Sequence, residues 1–586
     1  MKNIALNILL MAALLIGACK KDPLDLMPDG RITIDQVFKD EMMASEYVNS
    51  IYSNMQHYGT AYDYWTMLAG YSDEAHDNDY PQDMGRAPAR WYAGELRPNW
   101  NPMDIPGTVG RNDPASNGYY YRNAWKAIRL ANVFLANIDQ TVYANPNTKL
   151  RLIAEAKTLR AFFYLELIKM YGGMPVVDKP FTEEFKFEDL PRQSFKECVD
   201  FIKQDCDEAI AEAAFPWRIV TEPERGRFTK AVAHSVRSQA LLFSASPLWN
   251  PEGDESRWAM AADYSKQSLE ALTGAGYQLY PQYEAYFFGR SDLSPNPGDK
   301  ETIYEIKTFN GTPDFSHLMF RMHAIPTLGG DKAGCSPSQE LVDAYDMDNG
   351  EIPILGYQDE DHLQPIINAA SGYDEAHPYV NRDPRFYATV WYNDAYYGEI
   401  NGQPYRIQSY VGGADGISNL MQRTHNGYYL RKFRDPKQLD PYTGTALFKK
   451  YRLGEIYLNY AEAANEAYGP TVEVYDAVNT VRARVNMPPL PAGLTKEQMR
   501  ERIHRERRVE LSFEEHRIWD VRRWKIIGQT DKLTTGVEWT KTGEGQFTGK
   551  RIVVGRRKTA TDNYLIIPIP LSELTLMPQW QQNPGW

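Results

Sequence analysis

The chain has 586 residues, 77 acidic and 64 basic side chains, a formal net charge of −13 and only four cysteines. That length can bury several domains' worth of core, the acidic balance argues against nucleic acid, which selects basic surfaces, and so sparse a cysteine set is no disulfide framework.

In chain order, the first element is an apolar run, "LNILLMAALLIGACKKD" at 6–22, preceded by Lys2. It is shorter than the ~20 apolar residues of a membrane-spanning helix. A charged start, an apolar middle and small residues before a cut are the layout of a secretory signal. Ile16-Gly17-Ala18-Cys19 resembles the bacterial lipobox, in which cleavage precedes the cysteine and the cysteine then carries lipid. The expected signal is 1–18, with Cys19 as a membrane anchor rather than a span. No later stretch holds 18 consecutive apolar residues, so the rest reads as soluble.

Helical periodicity then dominates. Residues 117–140 repeat apolar positions at three- and four-residue steps: Ala124, Ala127, Ile128, Ala131, Leu135 and Ile138. Residues 150–173 end in Gly172-Gly173 with Pro175 beyond, a strong stop. Residues 194–213 open on Ser194 with Glu197 three residues later, a capping box. This stretch pairs with 229–246, which stops at Pro247, and a further helix is expected near 258–272. Late in the chain, 452–470 ends at Gly469-Pro470, followed by 474–488 and 495–525. These helix–turn–helix units of 35–45 residues have the size and texture of tetratricopeptide repeats without their strict consensus. Stacked pairs bury a shared face, which predicts a solenoid-like layer. Cys198 and Cys206 lie two helical turns apart, ~12 Å by rise and too far to bridge. With Cys335 they read as buried thiols.

Between 277 and 446 the texture changes: Gly, Pro, Asn, Asp and Tyr crowd together and helical periodicity fades. "ETIYEIKTF" and "FYATVWY" are the strand candidates. Loops on a rigid scaffold commonly carry binding.

Catalytic motifs are missing. There is no P-loop, paired CxxC, HExxH or GxSxG. The stretch from His504 to His516 has the wrong spacing for zinc. Its Arg502–Glu506 and Arg507–Glu510 spacings predict a solvated, ion-paired helix face. "DEAHDNDY" at 73–80 gathers acids around His76 but lacks the glycine and final Glu of a calcium loop, so neither calcium nor any cofactor is expected. A glycosidase needs two carboxylates set across the sugar bond, and among 77 acids nothing singles out a pair. Trp125, Trp519 and Trp524 fall on helices and read as core; Trp580 and Trp586 sit in the closing tail. Trp65, Trp91, Trp100 and Trp391 sit in polar, loop-like stretches, the last beside Tyr392, Tyr396 and Tyr397. An indole face suits the C–H face of a sugar, while Asp, Asn and Arg suit its hydroxyls.

Taken together, the segments resemble the SusD/RagB family of outer-membrane nutrient-binding lipoproteins nearly end to end. The carriers are "DPLDLMPDGRITIDQVF", "SIYSNM", "AEAKTLRAFFYLELIKMYGGMPVV", "GRFTKAVAHSVRSQALLFSASPLWN", "NRDPRFYATV", "YRLGEIYLNYAEAANEA", "VNTVRARV", "IHRERRVELSFEEHRIWDVRRW" and the tail "YLIIPIPLSELTLMPQWQQNPGW", which ends in Trp586 where the family usually has Tyr. The resemblance implies a mostly α fold: a tetratricopeptide-like helical scaffold with a loop-rich, irregular insertion carrying short strands. It divides the chain into a signal (1–18), an N-terminal helical-repeat region (19–275), a loop-rich ligand-binding region (276–446) and a C-terminal helical region with the signature tail (447–586). It implies a non-enzymatic, lipid-anchored protein on the outer face of the outer membrane. Such a protein captures oligosaccharide and passes it to a SusC-like TonB-dependent barrel. Peptide capture is the alternative; a surface glycosidase or an adhesin fits less well. The family's ligand residues form no fixed motif. Asp73, Trp91, Trp100, Tyr373, Trp391, Tyr396 and Tyr397 are the expected ligand contacts, and Arg385, in RDPRF, is read as structural.

Overall fold

The computed structural model describes residues 32–55, 67–78, 87–104, 118–306 and 315–586. The expected signal at 1–18, the lipidation site Cys19, Trp65 and the last two residues of 73–80 lie outside them. No helix among the described residues is long and apolar enough to cross a membrane.

The scaffold is a row of antiparallel helices, each packed on its predecessor: α1 (Glu41–Tyr52), α2 (Tyr119–Asn137), α3 (Pro146–Tyr171), α4 (Phe195–Ala211), α5 (Lys230–Ala245) and α6 (Glu255–Gly274). Local chemistry sets their ends. Asp40 caps α1 by accepting from the Met43 amide at 2.8 Å. Asn145 caps α3, with Pro146 at the first helical position, where a missing N–H costs nothing. Ser194 and Glu197 form the reciprocal capping box of α4. Both glycines after α3 are required, for different reasons. Gly172 adopts φ +77°, and a Cβ on Gly173 would fall 2.0 Å from the Gln193 carbonyl oxygen. α3 is buried all round from Thr158 onward and α5 along its whole length, so both are central layers.

A two-stranded antiparallel ribbon frames the loop-rich middle. β1 (Thr302–Ile306) pairs with β4 (Phe448–Arg452), in register Phe448↔Ile306 and Arg452↔Thr302. The chain leaves and re-enters the scaffold through this neck. Within the middle lie α7 (Phe315–His323) and the hairpin β2 (Tyr396–Ile400)–β3 (Gln403–Arg406). The hairpin turns through Asn401 (φ +52°) and Gly402 (φ +73°), the Asn-Gly pair that a tight two-residue turn demands. "FYATVWY" is not one strand. Residues Pro384–Thr389 are helical, capped by Asp383, and only Val390–Trp391 is extended.

After the neck, α8 (Leu453–Tyr468) returns to pack on α6 and α5, followed by α9 (Val472–Ala483), α10 (Lys496–Glu510) and α11 (Arg517–Arg523). The periodic stretch 495–525 breaks between α10 and α11, where Phe513 and Glu515 take positive φ. The C-terminal region also contains a long hairpin that periodicity did not reveal, β5 (Leu533–Gly543) with β6 (Gln546–Arg556), turning at Gly545. One continuous apolar core runs from Phe38 through all these helices to Trp580. A smaller cluster lies in the middle region: Ile325, Ala333, Trp391, Ala395, Tyr397, Ile407 and Tyr429.

The α10 face is not solvated. Glu506, Arg507 and Glu510 are buried, and the expected Arg502–Glu506 and Arg507–Glu510 pairs do not form. Glu510 instead joins Arg385 (3.0 Å) and Arg452 (2.7 Å), and Glu506 joins Arg385 (2.5 Å) and Arg482 (2.9 Å). Partners from other segments replace helix neighbours because the face is covered by the middle region and α9. Cys198, Cys206 and Cys335 are all buried, as expected.

Candidate binding cleft

An open cleft of about 590 Å³ lies in the middle region, between α7 with its following loop and the turn at residues 439–442. The turn is written locally. Asp440 accepts from the Tyr442 amide at 2.8 Å and the Thr443 hydroxyl at 3.2 Å. Pro441 occupies the position between them, and Tyr442 is left 83% exposed. His317 Nδ1 donates to the Pro441 carbonyl at 3.1 Å, and its ring lies 5.3 Å from that of Tyr442 at 52°. These contacts hold an otherwise free phenol ring at the rim. Across the cleft, Arg321 Nε donates to Asp331 at 2.6 Å, with both side chains part-exposed. Phe320 and Leu328 supply apolar wall.

The smaller core cluster is the floor behind this wall. Leu328 packs against it. Thr327 fastens the loop after α7 to the hairpin and to the loop beyond it, its hydroxyl 2.7 Å from both Tyr405 Oη and Asp415 Oδ1. Trp391 and Tyr397 face each other at 5.1 Å, with the Arg431 guanidinium 4.2 Å over the indole. The Arg434 guanidinium lies 4.4 Å over Phe320, and burial pulls its pKa below the usual arginine range. A Cβ on Gly398 would meet Pro436 at 3.9 Å, so the hairpin runs beside the segment that leads to the Tyr442 turn.

Of the expected ligand contacts, Tyr396 alone is exposed, at 54%, on the hairpin. Asp73 is corrected to a structural role. It is buried, accepts from Arg517 Nε and Nη2 at 2.8 Å each and pairs with Arg508 at 2.9 Å. Burial works against its charge, but Arg508 and Arg517 hold its carboxyl well below the usual range. Trp91 is likewise core, edge-on to Tyr71 and Tyr564 with Arg522 5.1 Å over its ring. Trp391 and Tyr397 are floor rather than contact, since buried rings have no free face to offer. Trp100 is half-buried under Arg90, whose guanidinium sits 4.6 Å from its centroid. Tyr373 is half-buried beside Arg551 in a gap of about 30 Å³, too small for a sugar ring. Neither lines the cleft. Sequence reasoning missed His317, Arg321, Asp331 and Tyr442. The "DPYTG" turn was the available signal for the last, since Asp, Pro and Gly there push the intervening Tyr outward. Among the described residues no cluster of His, Cys, Asp and Glu is arranged to hold a metal.

Comparison with known proteins agrees along nearly the whole chain. The profile of the SusD family matches residues 300–586, and one described as "Starch-binding associating with outer membrane" matches residues 50–242. SusD-like protein P25 of Formosa agariphila is 22% identical over 424 residues, 70% of each chain. A crystal structure of a SusD-like protein from Bacteroides fragilis is 26% identical with a TM-score of 0.74, covering 94% of this chain and 98% of that one. A SusD-like carbohydrate-binding protein from the same species shares the fold at 22% identity and a TM-score of 0.71, covering 93% and 100%.

Proposed function

This chain belongs to the SusD/RagB family, and we propose that it is a non-enzymatic, cell-surface oligosaccharide-binding lipoprotein. In this reading it is anchored through Cys19 at the outer face of the outer membrane and delivers its ligand to a SusC-like TonB-dependent barrel. The observation that carries the ligand reading is the cleft with Tyr442 held at its rim. The exposed ring offers a flat apolar face to sugar C–H groups and a polar tip to its hydroxyls. The part-exposed Arg321–Asp331 pair offers donors and acceptors for hydroxyls. An open, half-polar cleft suits shallow, non-covalent capture, in which stacking sets position and polar groups set specificity. The matches to a starch-binding family and to a carbohydrate-binding structural relative support the same class.

The test is calorimetric titration of residues 20–586 against a panel of oligosaccharides and casein-type peptides. One glycan series should bind. Tyr442→Ala and Arg321→Ala should each weaken it at least tenfold, ~1.4 kcal/mol, without lowering the melting temperature. Peptide binding with silent sugars would replace the glycan reading by peptide capture. Wild-type affinity in both variants would remove this cleft as the site.

A further inference from the structure

A second cavity, of about 450 Å³, lies on the helical side, within the ~300–1,000 Å³ typical of small-molecule sites. Three stretches remote in sequence build it: α2, a strap at residues 177–190 and the tail at residues 573–580. The strap is pinned to the tail. Trp580 Nε1 donates to the Leu190 carbonyl at 2.8 Å, and Gln579 Nε2 to the Phe187 carbonyl at 2.8 Å. Trp125, Phe181, Phe187 and Trp580 supply flat apolar walls.

Three features distinguish it from a packing gap. Tyr121, on α2, lines the cavity with 2% of its surface exposed, and its buried hydroxyl has only the Trp125 indole, itself a donor, beside it. Its proton is thus left without an acceptor, at a cost of ~1–3 kcal/mol. Glu573 lines the same cavity and is an electrostatic neighbour of that hydroxyl. Next, Arg129 and Lys179 line the cavity from exposed positions, and neither forms an ion pair among the described residues. Finally, Phe181, Phe185 and Phe187 pack on one another at 4.3–5.3 Å while Phe181 and Phe187 stay 41% and 47% exposed. Aromatic surface is thus left in water at the entrance.

We propose that this cavity binds a small aromatic acid, its ring between the aromatic walls, a ring hydroxyl at Tyr121 and its anionic group at Arg129 and Lys179. A sugar has hydroxyls around its whole edge, and these walls would leave most of them unpaired. An alkyl chain would cover Tyr121 without satisfying it. An aromatic acid with a polar ring substituent meets the depth, the walls and the rim together.

The intact chain, residues 20–586, is titrated at pH 7 with 4-hydroxycinnamate, with cinnamate, and with the fluorescent sulfonate 1-anilinonaphthalene-8-sulfonate. The expected result is saturable 1:1 binding of 4-hydroxycinnamate that competes with the fluorophore. The double variant Arg129→Glu/Lys179→Glu should weaken it at least tenfold, and Val133→Trp, which fills the cavity, should abolish it. Tyr121→Phe should weaken 4-hydroxycinnamate several-fold while leaving cinnamate unchanged, a difference that a general packing defect would not produce. Tyr442→Ala should leave aromatic-acid binding intact, so this site and the proposed glycan cleft fail or stand separately. Absence of saturable binding, or wild-type affinity in both the charge-reversal and the Val133→Trp variants, would overturn the proposal.

Discussion

At the scale of single residues, Glu74 and its neighbour Asp73 show how position in the fold overrides side-chain type. Asp73 has two arginines and stays charged; Glu74 is as deeply buried, and burial pushes its carboxyl up to about 7 against the pull of the Phe513 amide and of Arg517 and Arg508. A carboxyl raised in the folded state contributes stability at pH below its unfolded value, which is lost as pH rises through the folded value. For Glu74 that window runs from 4.5 to about 7. Glu74→Gln removes the titration and keeps an acceptor for the amide. Its melting temperature should match wild type near pH 4.5 and exceed it at pH 8, by a free energy of order 3 kcal/mol. A pH-independent difference, measured by thermal unfolding across pH 4.5–8, would show that Glu74 does not titrate in this range.

At the scale of elements, the helices were the most legible part of the chain, because both their signals are local. Apolar spacing marked α2, glycine stops marked the ends of α3 and α8, and a capping box marked the start of α4. The Ser194–Glu197 box is partly exposed and stands clear of the apolar core, so Ser194→Ala should cost ~1 kcal/mol in chemical denaturation; a loss of under 0.3 would mean that packing alone ends α4. Other elements were misread because their stability is borrowed. The β5–β6 hairpin has no strict alternation, since one part is buried against the middle region and the other is in water. "FYATVWY" reads as strand by composition, but the Asp383 cap and Pro384 start a helix there. The Trp and Tyr residues picked for ligand contact were judged by their polar neighbours in the chain. Polar neighbours do not fix which way a ring turns: Asn393 is itself buried, Trp91, Trp391 and Tyr397 point in, and all but Tyr396 proved buried or half-buried. The cleft itself escaped notice because it brings residue 317 beside residue 442, a pairing that no local pattern records.

At the scale of the whole molecule, a buried ionic network joins the loop-rich middle to the C-terminal region. Arg452, on the neck strand β4, bonds Glu301 at 2.8 Å, Glu510 at 2.7 Å and Glu514 at 2.6 Å. Arg385, from the middle region, shares Glu510 and adds Asp383 at 2.7 Å and Glu506 at 2.5 Å. The RDPRF segment is thereby tied to α10 and held against the scaffold. Such a network is not by itself a source of stability, but removing one partner strands the others. Arg452→Met should therefore cost ~3–5 kcal/mol in urea unfolding; a loss below 1 kcal/mol would show that water or neighbouring cations replace it. The tail makes a second long-range tie. Asn583 donates to the Tyr171 carbonyl at 2.8 Å and the Ile567 carbonyl at 2.7 Å, and accepts from Arg192 at 2.9 Å. The closing motif thus adds to the exit of α3, where the Tyr171 carbonyl also accepts from Arg192 at 3.3 Å.

The sequence by itself determined the helical class, the helix ends, the loop-rich middle and the family resemblance, because capping, glycine stops and apolar period act over a few residues and survive in any context. Tertiary structure decided which aromatics face water, which charges pair and where cavities open. Those outcomes depend on surfaces brought together from segments hundreds of residues apart. Burial, which turned Asp73 and Trp91 into core and left Tyr442 at a rim, is a property of the assembled surface rather than of any stretch of chain.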